Sequence, residues 1–347
     1  MTQKASLQRQ PKFELLRILA ILLISFMHGI KDAYLSPLEL NNIAHMMVNA
    51  VGNMGVTCFV LLSGYFSIRF RPSKFIKLWS VILAYSVIIF AVDTALDHTP
   101  LASKEFVKGL ITALTPITSN TWWFVSSYVI VFMLSPLLNK ASASMSRRQF
   151  QYLLAVLLIF YSLAPTFLFH SMSNEPNGKC TQNMILAYLI GRYIALHGAP
   201  DWLQRHAGKW FLGCSLLIFA IDYALHSPYH FAKDNDLLVI IGATSLFLTF
   251  CNTRMSLPHM GNAVCKAATY TFPFYLLNWW LISRLDFQYV AHTTDYLFLP
   301  LFLLVQAELV AITFIVESLL RPLLKRPVKM LGDFADRKLH PLLSEIY

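Results

Sequence analysis

The chain repeats apolar runs of about 17–25 residues from end to end, each long enough to carry a helix across a hydrocarbon layer. A segment in such a layer must satisfy its backbone polar groups internally, which leaves helices and closed barrels. The runs lack the period-2 alternation of barrel strands, so they predict helices. Composition agrees: 56% of the 347 residues are hydrophobic and 13% charged, and the mean hydropathy is +0.54. That is too little polar surface for a soluble domain of this length. The expected fold is all-α and polytopic, one transmembrane domain over 1–347 with no internal repeat.

Ten spans are expected, at 13–30, 45–66, 75–96, 121–138, 150–169, 182–196, 209–226, 236–252, 266–284 and 296–320. The sixth is short, and Pro273 should kink the ninth. With the N-terminus inside, 22 of the 28 Lys and Arg fall on inner segments, among them Lys4, Arg9, Lys12, Lys140, Arg192 and Arg254. Outer loops hold Lys31, Lys104, Lys108, Lys179, Lys233 and Arg284, and carry acids such as Asp234 and Asp236. This is the positive-inside pattern, and an odd number of spans would scramble it, so both termini are expected to be cytoplasmic. The loop over 97–120 is expected to cap the outer face. The basic amphipathic tail over 321–347 should lie along the inner surface.

The net charge of +10 is therefore a matter of topology. No basic face with interleaved aromatics stands clear of the apolar runs, which excludes nucleic acid as a partner. The five cysteines form no C-x-x-C pair, and His226 and His230 are split by Pro228, so neither a disulfide nor a metal is expected. The first run carries Arg17 and His28 and has no small-residue cleavage site, so no cleavable signal is expected.

Ionisable groups inside a bilayer are costly and mark candidate sites. Arg17 and His28 are eleven residues apart, which returns within roughly 20° of one helix face and separates them by about 16 Å. Glu14 lies on the same stripe, one turn below Arg17. The stripe predicts a continuous cavity, with a guanidinium at its inner mouth and an imidazole deeper in. A snorkelling end residue is the plain alternative for Arg17, and an interhelical hydrogen bond for His28. The second run ends with Ser63, Gly64 and Tyr65 and is followed by Arg69, Arg71, Lys74 and Lys77, cations suited to a multiply phosphorylated ligand. Ordinary loop charge explains Lys74 and Lys77 better than it explains the two arginines. Trp122 and Trp123 suit an interfacial aromatic belt or a sugar-stacking face.

Arg17-x10-His28, followed by Gly55-Val56, Phe59 and Leu62-Ser63-Gly64-Tyr65-Phe66, resembles the acyltransferase 3 family of membrane O-acyltransferases. Trp122-Trp123-Phe124-Val125-Ser126-Ser127-Tyr128 and Thr271-Phe272-Pro273-Phe274-Tyr275-Leu276-Leu277-Asn278 resemble the same family. The resemblance implies transfer of an acyl group, usually acetyl and sometimes succinyl, from cytosolic acyl-coenzyme A to a carbohydrate hydroxyl. The family's Arg and His of the first span map onto Arg17 and His28, and its next arginine onto Arg69 or Arg71. Arg17, Ser63, Arg69, Arg71 and Lys74 are then expected on the donor, with Arg17 also catalytic beside His28, and Trp122, Trp123, Tyr275 and Asn278 on the acceptor. Asn278 departs from the family's usual His; it can orient an imidazole but cannot act as a base. His28 would deprotonate the hydroxyl or carry the acyl group itself. The implied location is a bacterial cytoplasmic membrane. A second class stays open: a transporter or flippase for a glycan or lipid-linked sugar, for which only Glu308 is placed as a mid-span coupling carboxylate.

Overall fold

Each of the ten apolar runs is helical, as their need to close backbone hydrogen bonds locally demands. The computed structural model describes residues 10–168, 175, 177–227, 231–253 and 260–343. Lys4, Arg9, Pro228, His230 and Arg254 lie outside the described residues. Among those described there is no strand.

In chain order the helices are α1 (Pro11–Ile30), α2 (Glu39–Gly52), α3 (Met54–Tyr65), α4 (Pro72–Leu96), α5 (Lys104–Leu114), α6 (Trp123–Ser144) and α7 (Arg147–Leu158). They continue with α8 (Thr181–His197), α9 (Asp201–Arg205), α10 (Ala207–Ala224), α11 (Leu237–Asn252), α12 (Gly261–Ala267), α13 (Thr271–Ser283), α14 (Phe287–Thr293) and α15 (Phe298–Leu343). Among the described residues, seven helical stretches are long and apolar enough to cross a membrane: Pro11–Leu35, Glu39–Tyr65, Pro72–Leu96, Trp123–Ser144, Arg147–Leu168, Ala207–Ala224 and Phe298–Leu339. The other three runs form shorter helices, α8, α11 and α13, of 17, 16 and 13 residues. The expected loop cap over 97–120 contains α5, whose first turn is capped by Ser103 Oγ accepting from Phe106 N–H.

Helices α1 and α3 form the centre. The α3 helix is buried almost all round, against α1, α8 and α11. Its approach to α8 needs glycine on both sides: a Cβ on Gly64 would meet the Tyr188 carbonyl, and one on Gly191 the Leu61 carbonyl. Large apolar side chains face outward instead on the outer helices, such as Leu212 and Leu216 on α10 and Leu303, Val310 and Phe314 on α15. A lipid-facing surface has that character.

Four details differ from the expectation of plain spans. The second run breaks at Asn53, whose side-chain amide leaves the helix to donate to the Ala232 carbonyl. The fifth run finishes as a π-helix over Ile159–Leu168 that contains Pro165. In the ninth, the interruption is a 3₁₀ turn at Ala268–Tyr270, upstream of Pro273. Pro273 sits in the first turn of α13, where its missing N–H has no partner to lose. Finally, the tail is helical in direct continuation of the tenth run. It continues α15 through Pro322 and Pro327, held against α4 where Asp336 Oδ1 accepts from Ser73 N–H at 2.8 Å.

Candidate active site

His28 sits in the last turn of α1, beside α13, and lines a cavity of about 500 Å³. The Oδ1 of Asn278, on α13, lies 2.7 Å from His28 Nδ1. An amide oxygen can only accept, so Nδ1 carries the hydrogen and Nε2 keeps its lone pair. Asn278 is oriented in turn, because its amide N–H donates to Ser25 Oγ at 2.5 Å and Ser25 donates to Gln306 Oε1 on α15. Ser25, Asn278 and Gln306 are all buried. Three helices thus fix one imidazole.

The sequence reading missed Ser25 and Gln306. Their signal was available as two polar side chains within apolar spans, but each alone reads as an ordinary interhelical contact.

Trp122, Trp123 and Tyr275 line the same cavity as His28. The two tryptophans are the N-cap and first residue of α6, which places them at this end of the bundle. Trp279 adds a fourth aromatic wall, edge-on to His28 with ring centroids 5.3 Å apart. The remaining wall is the loop before α11. It is pinned by Asn53 to Ala232, by Asp234 N–H to the Asn177 carbonyl at 3.1 Å, and by the Asn183 amide to the Asp234 carbonyl at 3.0 Å. Asp234 lines the cavity, and neither of its buried carboxylate oxygens has a hydrogen-bond partner among the described residues. Burial pushes this carboxyl up to about 7 against the pull of Lys179.

A second cavity, of about 760 Å³, is lined by Arg69, Arg71, Lys140 and Arg192, with Asn139 and Asp336. All four cations belong to segments assigned to the inner side, and Lys31, Lys179 and Lys233 of the first cavity to the outer. Arg192 is buried on α8, and its Nε has no partner. Sequence alone gave it only as an inner-side charge. Lys74 lies round the start of α4 in a neighbouring groove with Lys77, Lys325 and Lys329.

Arg17 lines neither cavity. Its guanidinium is turned to the buried Glu14 carboxylate at 2.5 Å. The two cavities share no lining residue. Between them stand Tyr275, Phe124 and Tyr128, with the last two stacked at 5.8 Å, and Tyr128 OH 3.1 Å from Ser63 Oγ. The continuous passage expected from the Arg17–His28 stripe is therefore filled by packed rings, as the density of a protein interior favours. Ser63 belongs to this column and to neither cavity.

Three carboxylates within or near the spans have structural partners or face outward. Glu317 accepts from Tyr85 and Arg321, each at 2.9 Å. Asp93 accepts from Trp280 Nε1 at 2.7 Å and pairs with Arg284. Glu308 is exposed on the outer surface of α15.

Membrane-length helices enclosing a polar cavity at each end define a multi-pass membrane protein. Residues 10–317 match the acyltransferase 3 family model, described as an acyltransferase domain. The chain belongs to that family, and its activity is of the acyltransferase class. No curated protein and no solved structure matches it.

Proposed function

We propose that the protein is a membrane O-acyltransferase that moves an acyl group, acetyl foremost, from cytosolic acyl-coenzyme A to a hydroxyl of a cell-surface or lipid-linked carbohydrate. Ten crossings of a bacterial cytoplasmic membrane, with both termini inside, fit the division of Lys and Arg and the sorting of loops between the two cavities. The observation that carries the reading is the His28–Asn278 pair at the edge of an aromatic-walled cavity. A neutral imidazole with its tautomer fixed is a suitable base near pH 7.

The donor's phosphates belong at the inner cavity, held by Arg69, Arg71, Lys140 and Arg192. Its pantetheine arm runs toward His28, which requires Phe124 and Tyr128 to turn aside. In the transfer step His28 Nε2 takes the proton of the acceptor hydroxyl while the oxygen attacks the thioester carbonyl. The C–S bond breaks, and the imidazolium returns its proton to the departing thiolate. Arg17, paired with Glu14 beneath the column, acts by charge on this path rather than by touching the reacting atoms. The outward-facing Glu308 leaves the transporter reading without its coupling carboxylate.

The test is incubation of purified protein with radiolabelled acetyl- and succinyl-coenzyme A. Wild type should release or transfer label, and His28→Ala should not. A fully active His28→Ala protein would remove the assignment.

A further inference from the structure

The outer cavity carries an excess of positive charge at the place where a sugar would meet His28. Lys31, Lys179 and Lys233 line it, and Asp234 is the one carboxylate among its described lining residues. Among the described residues none of the three lysines makes an ion pair. The Lys31 ammonium lies 4.9 Å from the centroid of Trp279, which is itself a wall of the cavity, so its charge is held at the aromatic surface. Lys179 is near enough to act electrostatically on both His28 and Asp234. A neutral sugar does not offset the repulsion of three gathered ammonium groups; an anionic substituent does.

Asp234 supplies the second, independent observation. It is 1% exposed, and both of its oxygens lack a partner. A buried carboxyl in that state is an unfilled acceptor, and a sugar hydroxyl is the donor that suits it. Ring faces for the sugar, cations for an anion and an acceptor for a hydroxyl therefore meet in one cavity of small-molecule size.

Resting on the acceptor role given to this cavity above, we propose that the acceptor is an anionic sugar, its carboxylate or phosphate held by Lys31, Lys179 and Lys233 and one hydroxyl held by Asp234. The test titrates full-length protein in nanodiscs with methyl glucoside, methyl glucuronide and methyl glucoside 6-phosphate, following tryptophan fluorescence. At least one anionic glycoside should bind about tenfold or more tighter than the neutral one, with the advantage shrinking at high salt. The preference should disappear in Lys31→Gln/Lys179→Gln and survive in Lys31→Arg/Lys179→Arg. The glucuronide and phosphate arms separate a carboxylate from a phosphate acceptor. Equal binding of all three glycosides, no binding of either anion, or an anion preference untouched in the double Gln variant would overturn it. Transfer of label from acetyl-coenzyme A is scored separately. Anion-selective binding without transfer sinks the acyltransferase reading alone, and transfer to neutral sugar without selectivity sinks this one alone.

Discussion

Asn278 accepts from His28 with one end of its amide and donates to Ser25 with the other. The residue that stands where the resemblance implied a second histidine aims the one that is present. Its oxygen is what the arrangement needs, so substitutions should sort by whether an acceptor remains at that place.

Asn278→Leu should lower the turnover of acyl transfer by about 10- to 100-fold, the usual scale for losing a partner that orients a working histidine. Asn278→Asp, which keeps an acceptor facing Nδ1, should retain most of it. The Michaelis constant for acyl-coenzyme A should not move in either. Equal loss in both variants would show that the contact matters only for folding.

Arg192 buries a guanidinium whose Nε is unpaired. If it waits for a donor phosphate, Arg192→Met should raise the Michaelis constant for acyl-coenzyme A by about 10- to 100-fold, the worth of a hydrogen bond to a charged group. Turnover at saturation should hold. Thermal stability of the protein alone should not fall, since an incompletely satisfied buried charge is being removed. A drop in melting temperature with an unchanged Michaelis constant would assign Arg192 to structure.

Gly64→Ala places a methyl group against the Tyr188 carbonyl. Backbone cannot swing away as a side chain does, so α3 and α8 must separate, at a cost of about 1–3 kcal/mol or more. The variant should give less monodisperse protein in detergent and a lower melting temperature. Unaltered melting would mean the two helices are less tightly apposed than described.

The Asp234 carboxyl, ordinarily near 3.8, stands at about 7 in the folded chain, chiefly through burial. A group that holds its proton more tightly when folded supports folding fully below about pH 4, and that support is lost as pH rises through 7. Asp234→Asn removes the charged form, so it should melt higher than wild type at pH 8, by roughly 4 kcal/mol at most, and match it at pH 4. Melting curves at pH 4, 6 and 8 decide it; a constant offset across that range would contradict the burial argument.

The helical frame was legible because an apolar run of bilayer length has few alternatives. Its interruptions were not. The break at Asn53 exists because the Ala232 carbonyl, far along the chain, is there to receive the amide. Pro273 was read as a kink, yet a proline that begins a helix breaks nothing, and only the preceding 3₁₀ turn shows where α13 starts. In the site, His28, Trp122, Trp123, Tyr275 and Asn278 do come together, from the last turn of α1, the start of α6 and the middle of α13. Arg17 and His28 share a face of α1 as their spacing requires, but spacing on one helix says nothing of what neighbouring helices insert. Phe124 and Tyr128 fill the gap. Arg192 stayed hidden among the topological charges, since burial is a property of packing and not of sequence.

The length of α15 has a mechanical consequence. Gln306, which closes the hydrogen-bonded chain behind His28, and Asp336, which lines the basic cavity, ride on one uninterrupted helix, about 45 Å apart along its axis. Pro322 and Pro327 lie between them, and each takes a hydrogen bond out of the helix, so α15 bends there first. A tilt of the tail is therefore taken up at those two prolines before it reaches Gln306 and the imidazole beyond it.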